Sequence, residues 1–348
     1  MTINKLVSII IVNYNGEKYI KNCLDSVLRT KYCPFEIVVV DNGSTDKSVK
    51  ILKEFENDPR VKVILLGRNL HFAGGNNLGI KYSNGEYIVF LNNDTIMKHD
   101  CLEELVKRFE SDRNAWAVQC LLLKMHEKGI DSIGGTLDYC GGLLPASLLW
   151  SKNSAARRER RLFWGCGAAL CVRRDVLERV GYFDPEIPTD EVDLCWRINL
   201  AGGKIVLEPK AVVYHLRSAS FGKGLKKERL FLGELSRLTY ILKNYELRNL
   251  VLFAPYIASY LLMSIGWDLI YRRKVDIMLS RLKAYAYVLK NLKKIFIKRL
   301  RNQRLRKVSD VEIKKLMIKP NPFYYIVTQL NLSKTNARLI DPSYEEEK

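Results

Sequence analysis

The sequence predicts an α/β protein whose mostly parallel sheet is covered by helices on both faces, with a basic helical region behind it. Three observations predict this. Short unbroken apolar runs rich in β-branched residues recur through the first two thirds of the chain, as strands buried on both faces require. Helical stripes alternate with these runs across short connections, the order that builds a parallel sheet. Charge is segregated: of a net +19, residues 223–307 hold +16, from 21 Lys and Arg against 5 Asp and Glu. Residues 308–348 balance at 6 against 6, which leaves +3 for residues 1–222. The expected organisation is therefore a domain over 1–222, a basic helical region over 223–307 and a tail over 308–348.

Residues 6–12 (LVSIIIV) form the first expected strand, ending at Asn13. Tyr19, Ile20, Cys23, Leu24, Val27 and Leu28 then fall on one helical stripe. Residues 35–40 (FEIVVV) are the second strand, ending at Asp41, and Ser44 or Thr45 is expected to cap the helix that follows. Residues 61–66 are the third strand, ending near Asn69, and a glycine-rich turn around Asn76 enters a short helix. Residues 87–91 (YIVFL) are the fourth strand and stop at Asn92-Asn93-Asp94. The right-handed crossover rule puts Asn13, Asp41, Asn69 and Asp94 on one edge of the sheet, where open α/β sheets bind ligands. A carboxylate such as Asp94 suits a divalent cation there.

An amphipathic helix over 100–112 comes next, then a loop-rich insertion over 116–150. Residues 163–172 (FWGCGAALCV) read as one close-packed strand. A short helix over 175–180 precedes a second chemical landmark, Asp190-Glu191-Val192-Asp193, at the start of a further helix. Acids favour a first helical turn, but three in four positions crowd like charge, which raises carboxyl pKa values and suits a general base. Two strands, 204–207 and 211–215, end the domain at His215, a candidate metal ligand. No P-loop motif occurs, and no GxGxxG follows the first strand. The eight cysteines form no CxxC pair, so buried free thiols in a reducing compartment are expected, not zinc. The first apolar run holds only seven residues, too short for a secretory signal.

Seven stretches then fall in one family's order. VSIIIVNYNG (7–16), EIVVVDNGSTD (36–46), NLHFAGGNNLG (69–79) and GEYIVFLNNDT (85–95) are followed by FWGCGAALCVRRDVLERVGYFD (163–184), DEVDLCWR (190–197) and VVYHLRSAS (212–220). The chain resembles the family 2 inverting glycosyltransferases of GT-A fold, in particular their rhamnosyltransferase-like branch, over about residues 5–222. The resemblance implies a nucleotide-sugar donor, UDP- or dTDP-linked, whose pyrimidine meets Asp41. It implies that Asn13, Asp46, Asn69 and Asn76 line the nucleotide pocket, and that Asp94 with His215 holds Mg2+ or Mn2+ on the diphosphate. Trp164 and Asp193 stand by the sugar or acceptor. The family's usual Glu-Asp order is swapped, so Glu191 and Asp190 both remain candidates for the base. His71 stands where the family commonly has glycine.

In the basic region, residues 225–247 read as an amphipathic helix, and residues 250–267 are eighteen uncharged residues containing Pro255. Residues 272–307 hold 14 Lys and Arg against one acid, interleaved with Leu292, Ile295, Phe296 and Leu300. That pattern suits an interfacial helix on anionic lipid. Basic segments stay cytoplasmic, so one crossing would put the catalytic domain on the wrong side. A peripheral, monotopic or re-entrant attachment at the cytoplasmic face is expected, against a soluble helical subdomain or true spans. The partners expected are a nucleotide sugar, a glycan or lipid-linked acceptor and an anionic membrane surface. A nucleic-acid-binding protein and an inactive sugar-nucleotide-binding module are the rival readings. The tail over 308–348 is expected to pack back on the body through residues 323–330 or to be partly disordered.

Overall fold

The computed structural model describes residues 5–146, 160–187, 191–216 and 227–319. Strands β1 (Val7–Asn13), β2 (Phe35–Asp41), β3 (Val61–Leu65) and β4 (Tyr87–Asn92) run parallel, with β1 between β2 and β4 and β3 outside β2. Helices α1 (Ile20–Leu28), α2 (Ser48–Phe55) and α3 (His71–Lys81) connect them. Ile9, Ile10 and Ile11 are all 0% exposed. Successive strand residues point to opposite faces, so both faces of the sheet are covered.

The second half widens the sheet. After β4 come β5 (Thr95–Met97), α4 (Cys101–Ser111), β6 (Ala115–Lys124), β7 (Ile130–Ser132), β8 (Gly135–Leu137), β9 (Leu143–Pro145) and β10 (Arg160–Leu162). Then follow β11 (Ala169–Arg173), α5 (Arg174–Val180), α6 (Glu191–Leu200) and β12 (Lys204–His215). The main sheet has ten strands, in the order β10-β12-β6-β11-β4-β1-β2-β3 with β5 on β12 and β7 on β6. β11 is antiparallel to both its neighbours, and β12 is parallel to β6.

Several expectations are corrected. Residues 115–124 are a central strand, not part of a loop-rich insertion. The strand expected over 163–172 begins only at Ala169, because 163–168 turns to let Trp164 bridge to Gly135. The two strands expected before His215 are one, bent by a register shift between Glu208 and Val212. Ser44 and Thr45 do not cap α2: Ser44 Oγ donates to Asp41 and Thr45 N to Asn15, while Asp46 Oδ1 accepts the Ser48 amide at 2.9 Å.

The basic region is helical: α7 (Lys227–Asn244), α8 (Leu247–Gly266) continued by a π-helical turn (Trp267–Tyr271), α9 (Val275–Lys290), α10 (Leu292–Leu305) and α11 (Asp310–Lys314). It is not an appendage. Tyr240, Ile241, Tyr245, Phe253, Ile313 and Met317 share one apolar core with Ile10, Phe90 and Trp196. Residues 316–318 return to the insertion, where Ile318 N donates to Leu137 O at 2.9 Å. Residues 323–330 lie outside the described residues.

Candidate active site

Register places the first polar group. β1 and β2 pair Asn13 opposite Asp41, and β4 pairs Asn92 opposite Val12. Three strand ends therefore meet at one level. Asn13 Nδ2 donates to Asp41 Oδ2 at 2.8 Å, and Asn93 Nδ2 donates to Asn13 Oδ1 at 2.7 Å. Asn13 and Asp41 are almost wholly buried, so each must be hydrogen-bonded to offset lost hydration. Gly16 is needed beside them: a Cβ there would stand 2.2 Å from Asn13 Oδ1 and 2.3 Å from Asn93 Nδ2. Asn42, next along, keeps its buried Oδ1 without a donor among the described residues. Sequence reasoning did not single it out. A buried acceptor beside Asp41 fits a ligand that brings an N–H, as a pyrimidine ring does.

One residue past Asn93 stands the second group. The bend in β12 lets it pair with β5, setting His215 opposite Thr95. His215 Nε2 lies 3.2 Å from Asp94 Oδ1, and Nδ1 lies 2.8 Å from Asp131 Oδ2. Burial pushes the imidazole pKa down, but its hydrogen bonds to Asp131 and Asp94 outweigh this and raise it to about 9. Asp131 is a second residue that sequence reasoning missed, and its signal is spatial, since it lies on β7, far from His215 in the chain. One carboxylate and one imidazole, with the second ring nitrogen oriented by a carboxylate, fit a divalent cation that takes its other ligands from phosphate and water. Among the described residues no group of three or more His, Cys, Asp or Glu converges on one ion position, so phosphate oxygens and water would have to complete the shell.

The third group is Glu191, the first residue of α6. Burial pushes its carboxyl above the ordinary glutamate value of 4.5, partly offset by its own amide and the Gly167 amide. Cys166 joins this group to the second: burial lifts its thiol to about 12, and the negative charges of Glu191 and Asp131 add to the effect. The strand ends and the Asp94–His215–Asp131 chain form adjoining polar groups, and the charge of Glu191 reaches the same thiol, Cys166, as that of Asp131.

A family model described as glycosyl transferase family 2 matches residues 8–181. The chain belongs to glycosyl transferase family 2. The poly-β-1,6-N-acetyl-D-glucosamine synthase of Staphylococcus epidermidis is 25% identical over 224 residues, covering 64% of this chain and 53% of that protein. The corresponding Staphylococcus aureus synthases are similar to the same degree. The chain thus spans about half the length of the curated relatives it matches. The fold is GT-A, as in S. aureus TarS 1–349 in complex with UDP-GlcNAc (TM-score 0.55, 17% identity, 86% of this chain and 89% of that one). GalNAc-T7 with UDP, GalNAc and Mn2+ shares it (0.56, 19%, 70% and 51%). So does the mannosyltransferase PcManGT of Pyrobaculum calidifontis with GDP-Man and Mn2+ (0.52, 18%, 83% and 76%).

Placed in this family 2 chain, the remaining expected site residues divide. Asp46 accepts the Glu17 amide at 2.9 Å and the Ser48 amide, fixing the loop that flanks Asn13. Asn69 is exposed, and its Oδ1 accepts the His71 amide at 2.7 Å. His71 takes a left-handed φ of +57°, a conformation glycine tolerates without steric cost. Asn76 is buried and donates to Phe72 O at 2.9 Å within α3. Trp164 is 7% exposed, and its indole N–H donates to Thr136 O at 2.8 Å. It clamps the insertion against the sheet, which leaves little of its ring for a sugar. Asp193 is fully buried against α7, where Asn244 Nδ2 donates to it. Asp190 lies outside the described residues.

Proposed function

We propose that this protein is a glycosyltransferase that moves a sugar from a nucleoside-diphosphate donor to a hydroxyl of a lipid-linked or polysaccharide acceptor, with inversion. The observation that carries the reading is the hydrogen-bonded set Asp41–Asn13–Asn93 at the strand ends, with the Asp94–His215–Asp131 chain one residue further along. Asp41 and Asn42 would read the base, Asn13 and Asp46 would shape its pocket with Asn69 and Asn76 behind, and Asp94 with His215 would hold Mg2+ or Mn2+. When bound, that ion supplies positive charge beside the diphosphate leaving group. Glu191 accepts the acceptor hydroxyl's proton as that oxygen bonds to the anomeric carbon and the carbon–phosphate-oxygen bond breaks. Its raised pKa suits the task. Asp190, next in the chain, is the other candidate base.

UDP-N-acetylglucosamine is the donor to test first, on the strength of the TarS complex and the synthase relatives. A dTDP-sugar such as dTDP-rhamnose is the alternative. The test is a thermal-shift panel of UDP, dTDP, GDP and their sugars, with and without Mn2+, on wild type and Asp94→Ala. Ligand binding stabilises by mass action. A dose-dependent, Mn2+-dependent rise that Asp94→Ala abolishes is the expected result, and its absence for every nucleotide would sink the proposal.

We also read the protein as attached to the cytoplasmic membrane face, where nucleotide sugars are found. Helix 247–271 is 25 residues, long and apolar enough by composition to cross a bilayer. Its two ends, however, are tied to the same body. At one end Glu246 N and Asn249 Nδ2 donate to buried Asp310 at 2.7 and 2.8 Å. At the other, fully buried Asp268 meets Arg272 at 2.8 Å and Arg281 at 2.6 Å. Between them Val251, Leu252, Tyr256 and Leu262 are exposed. A helix held so supports lying along the lipid surface rather than spanning it. Exposed Phe296, Ile297 and Leu300 among the lysines of α10 favour lipid over nucleic acid.

A further inference from the structure

Asp193 sits two residues after Glu191, in the same first turn of α6. An acid in a first turn ordinarily stays in water, where the helix dipole already favours it. Asp193 is instead 0% exposed. Its Oδ2 accepts from Arg197 Nε at 2.8 Å and meets Lys243 Nζ at 2.8 Å, and its Oδ1 accepts from Asn244 Nδ2 at 2.8 Å. Lys243 and Asn244 end α7, so they come from the C-terminal helices. Lys243 also reaches Asp184 Oδ2 at 2.9 Å, and Asn244 Oδ1 accepts from Asn302 Nδ2 of α10 at 2.7 Å. Arg197 closes the arrangement by donating to the carbonyls of Val180 and Gly181, at 2.7 and 2.6 Å, where α5 ends.

Such a cluster is a poor source of stability, because burying charges cancels most of what pairing them gains. It is, however, a stiff one, since each member has a partner to lose if it moves. Its stiffness is delivered to the helical turn that carries Glu191.

We propose that Lys243 and Asn244 are positioning residues for the general base: they clamp Asp193 and so fix where Glu191 stands, and the C-terminal helices complete the active site. The proposal rests on the reading of Glu191 as the base. Neither residue touches the substrate. The C-terminal region thus has a second task beside meeting lipid.

The test uses the full chain and follows UDP release from UDP-N-acetylglucosamine with Mn2+, water or a glycan serving as acceptor. Asn244→Leu and Lys243→Met are compared with Glu191→Gln and with Asp268→Asn, which weakens a different polar tie between the C-terminal helices, to Arg272 and Arg281. Misplacing a catalytic group by about 1 Å costs on the order of 100-fold, so the two clamp variants should lose about 10- to 100-fold in kcat while the donor KM stays within about twofold. Asp268→Asn should lower the melting temperature and keep its kcat. Lys243→Met strips one cation from two buried carboxylates. If it fails to fold, Asn244→Leu, which leaves Asp193 both its cations, decides alone. Wild-type kcat in folded clamp variants beside an inactive Glu191→Gln would overturn this proposal alone. An equal kcat loss in Asp268→Asn would overturn it as well, by making the effect one of general destabilisation. Full turnover in Glu191→Gln would overturn the base reading, and the clamp with it.

Discussion

Glu191 and His215, the proposed base and the proposed metal ligand, have opposite electrostatics. Burial raises the Glu191 carboxyl, so the acid limb of the kcat profile is expected above 4.5, the ordinary glutamate value, and activity should rise with pH through it. Glu191→Gln should lower kcat by roughly 10²- to 10⁴-fold, the usual worth of general-base help. His215 is held protonated by two carboxylates, with its pKa raised from 6.5 to about 9. The stability this gives the metal-free protein is full below pH 6.5 and fades as pH climbs toward 9. A metal must displace that proton, so Mn2+ affinity measured by calorimetry should rise over the same window, with proton release that scales with buffer ionisation enthalpy. Asp131→Asn removes the carboxylate that orients the ring and should weaken Mn2+ binding by about 10- to 100-fold. Asp94, His215 and Glu191 were legible in the sequence because each ends an apolar run or starts a patterned helix. Asp131 was not, since it lies on a three-residue strand with no period to mark it. Asp193 looked like part of an open acidic motif, because the residues that bury it come some fifty positions later in the chain.

At the scale of elements, the four parallel strands were legible almost to the residue, because a strand buried on both faces shows an unbroken apolar run and then a sharp polar stop. The register that aligns Asn13 with Asp41 follows from those stops. Strand β12 was read as two, since Glu208, Pro209 and Lys210 interrupt its apolar pattern, and only pairing with both β6 and β5 reveals that the backbone continues. Helix α8 was underread at both ends, because its termini are fixed by distant charges rather than by local caps. Its exposed face carries a direct prediction. Leu262 and Ile270 are 70% and 76% exposed, so Leu262→Glu with Ile270→Glu should leave the melting temperature within a degree or two, as substitutions at unburied positions do. Co-sedimentation with vesicles containing anionic lipid should nevertheless be largely lost. Unchanged sedimentation would remove this helix from the membrane reading.

At the scale of the whole molecule, one apolar core takes residues from both sides of the charge step. The charge step near residue 223 marks a change in surface, not a boundary in the core. Trp196 of α6 packs edge-on against Tyr245, with ring centroids 4.9 Å apart, and at a tilt against Tyr240, at 5.8 Å. Removing large buried rings costs about 3–5 kcal/mol each, against a total stability of about 5–15 kcal/mol. A chain ending at residue 222 should therefore fail to melt cooperatively, as judged by near-ultraviolet circular dichroism. A sharp transition in that fragment would show that the first domain folds alone. Interior contacts of this kind leave no trace in a charge profile, which is why the boundary was drawn at the surface signal. The double fastening of helix 247–271 has a further consequence for geometry. A protein moored at one point can tilt and swing above a bilayer; one laid down along a line about 37 Å long cannot. On the proposed attachment, its cleft would keep a constant height and heading over the lipid plane, so hydroxyls of identical chemistry would be distinguished by how far above the headgroups they are carried.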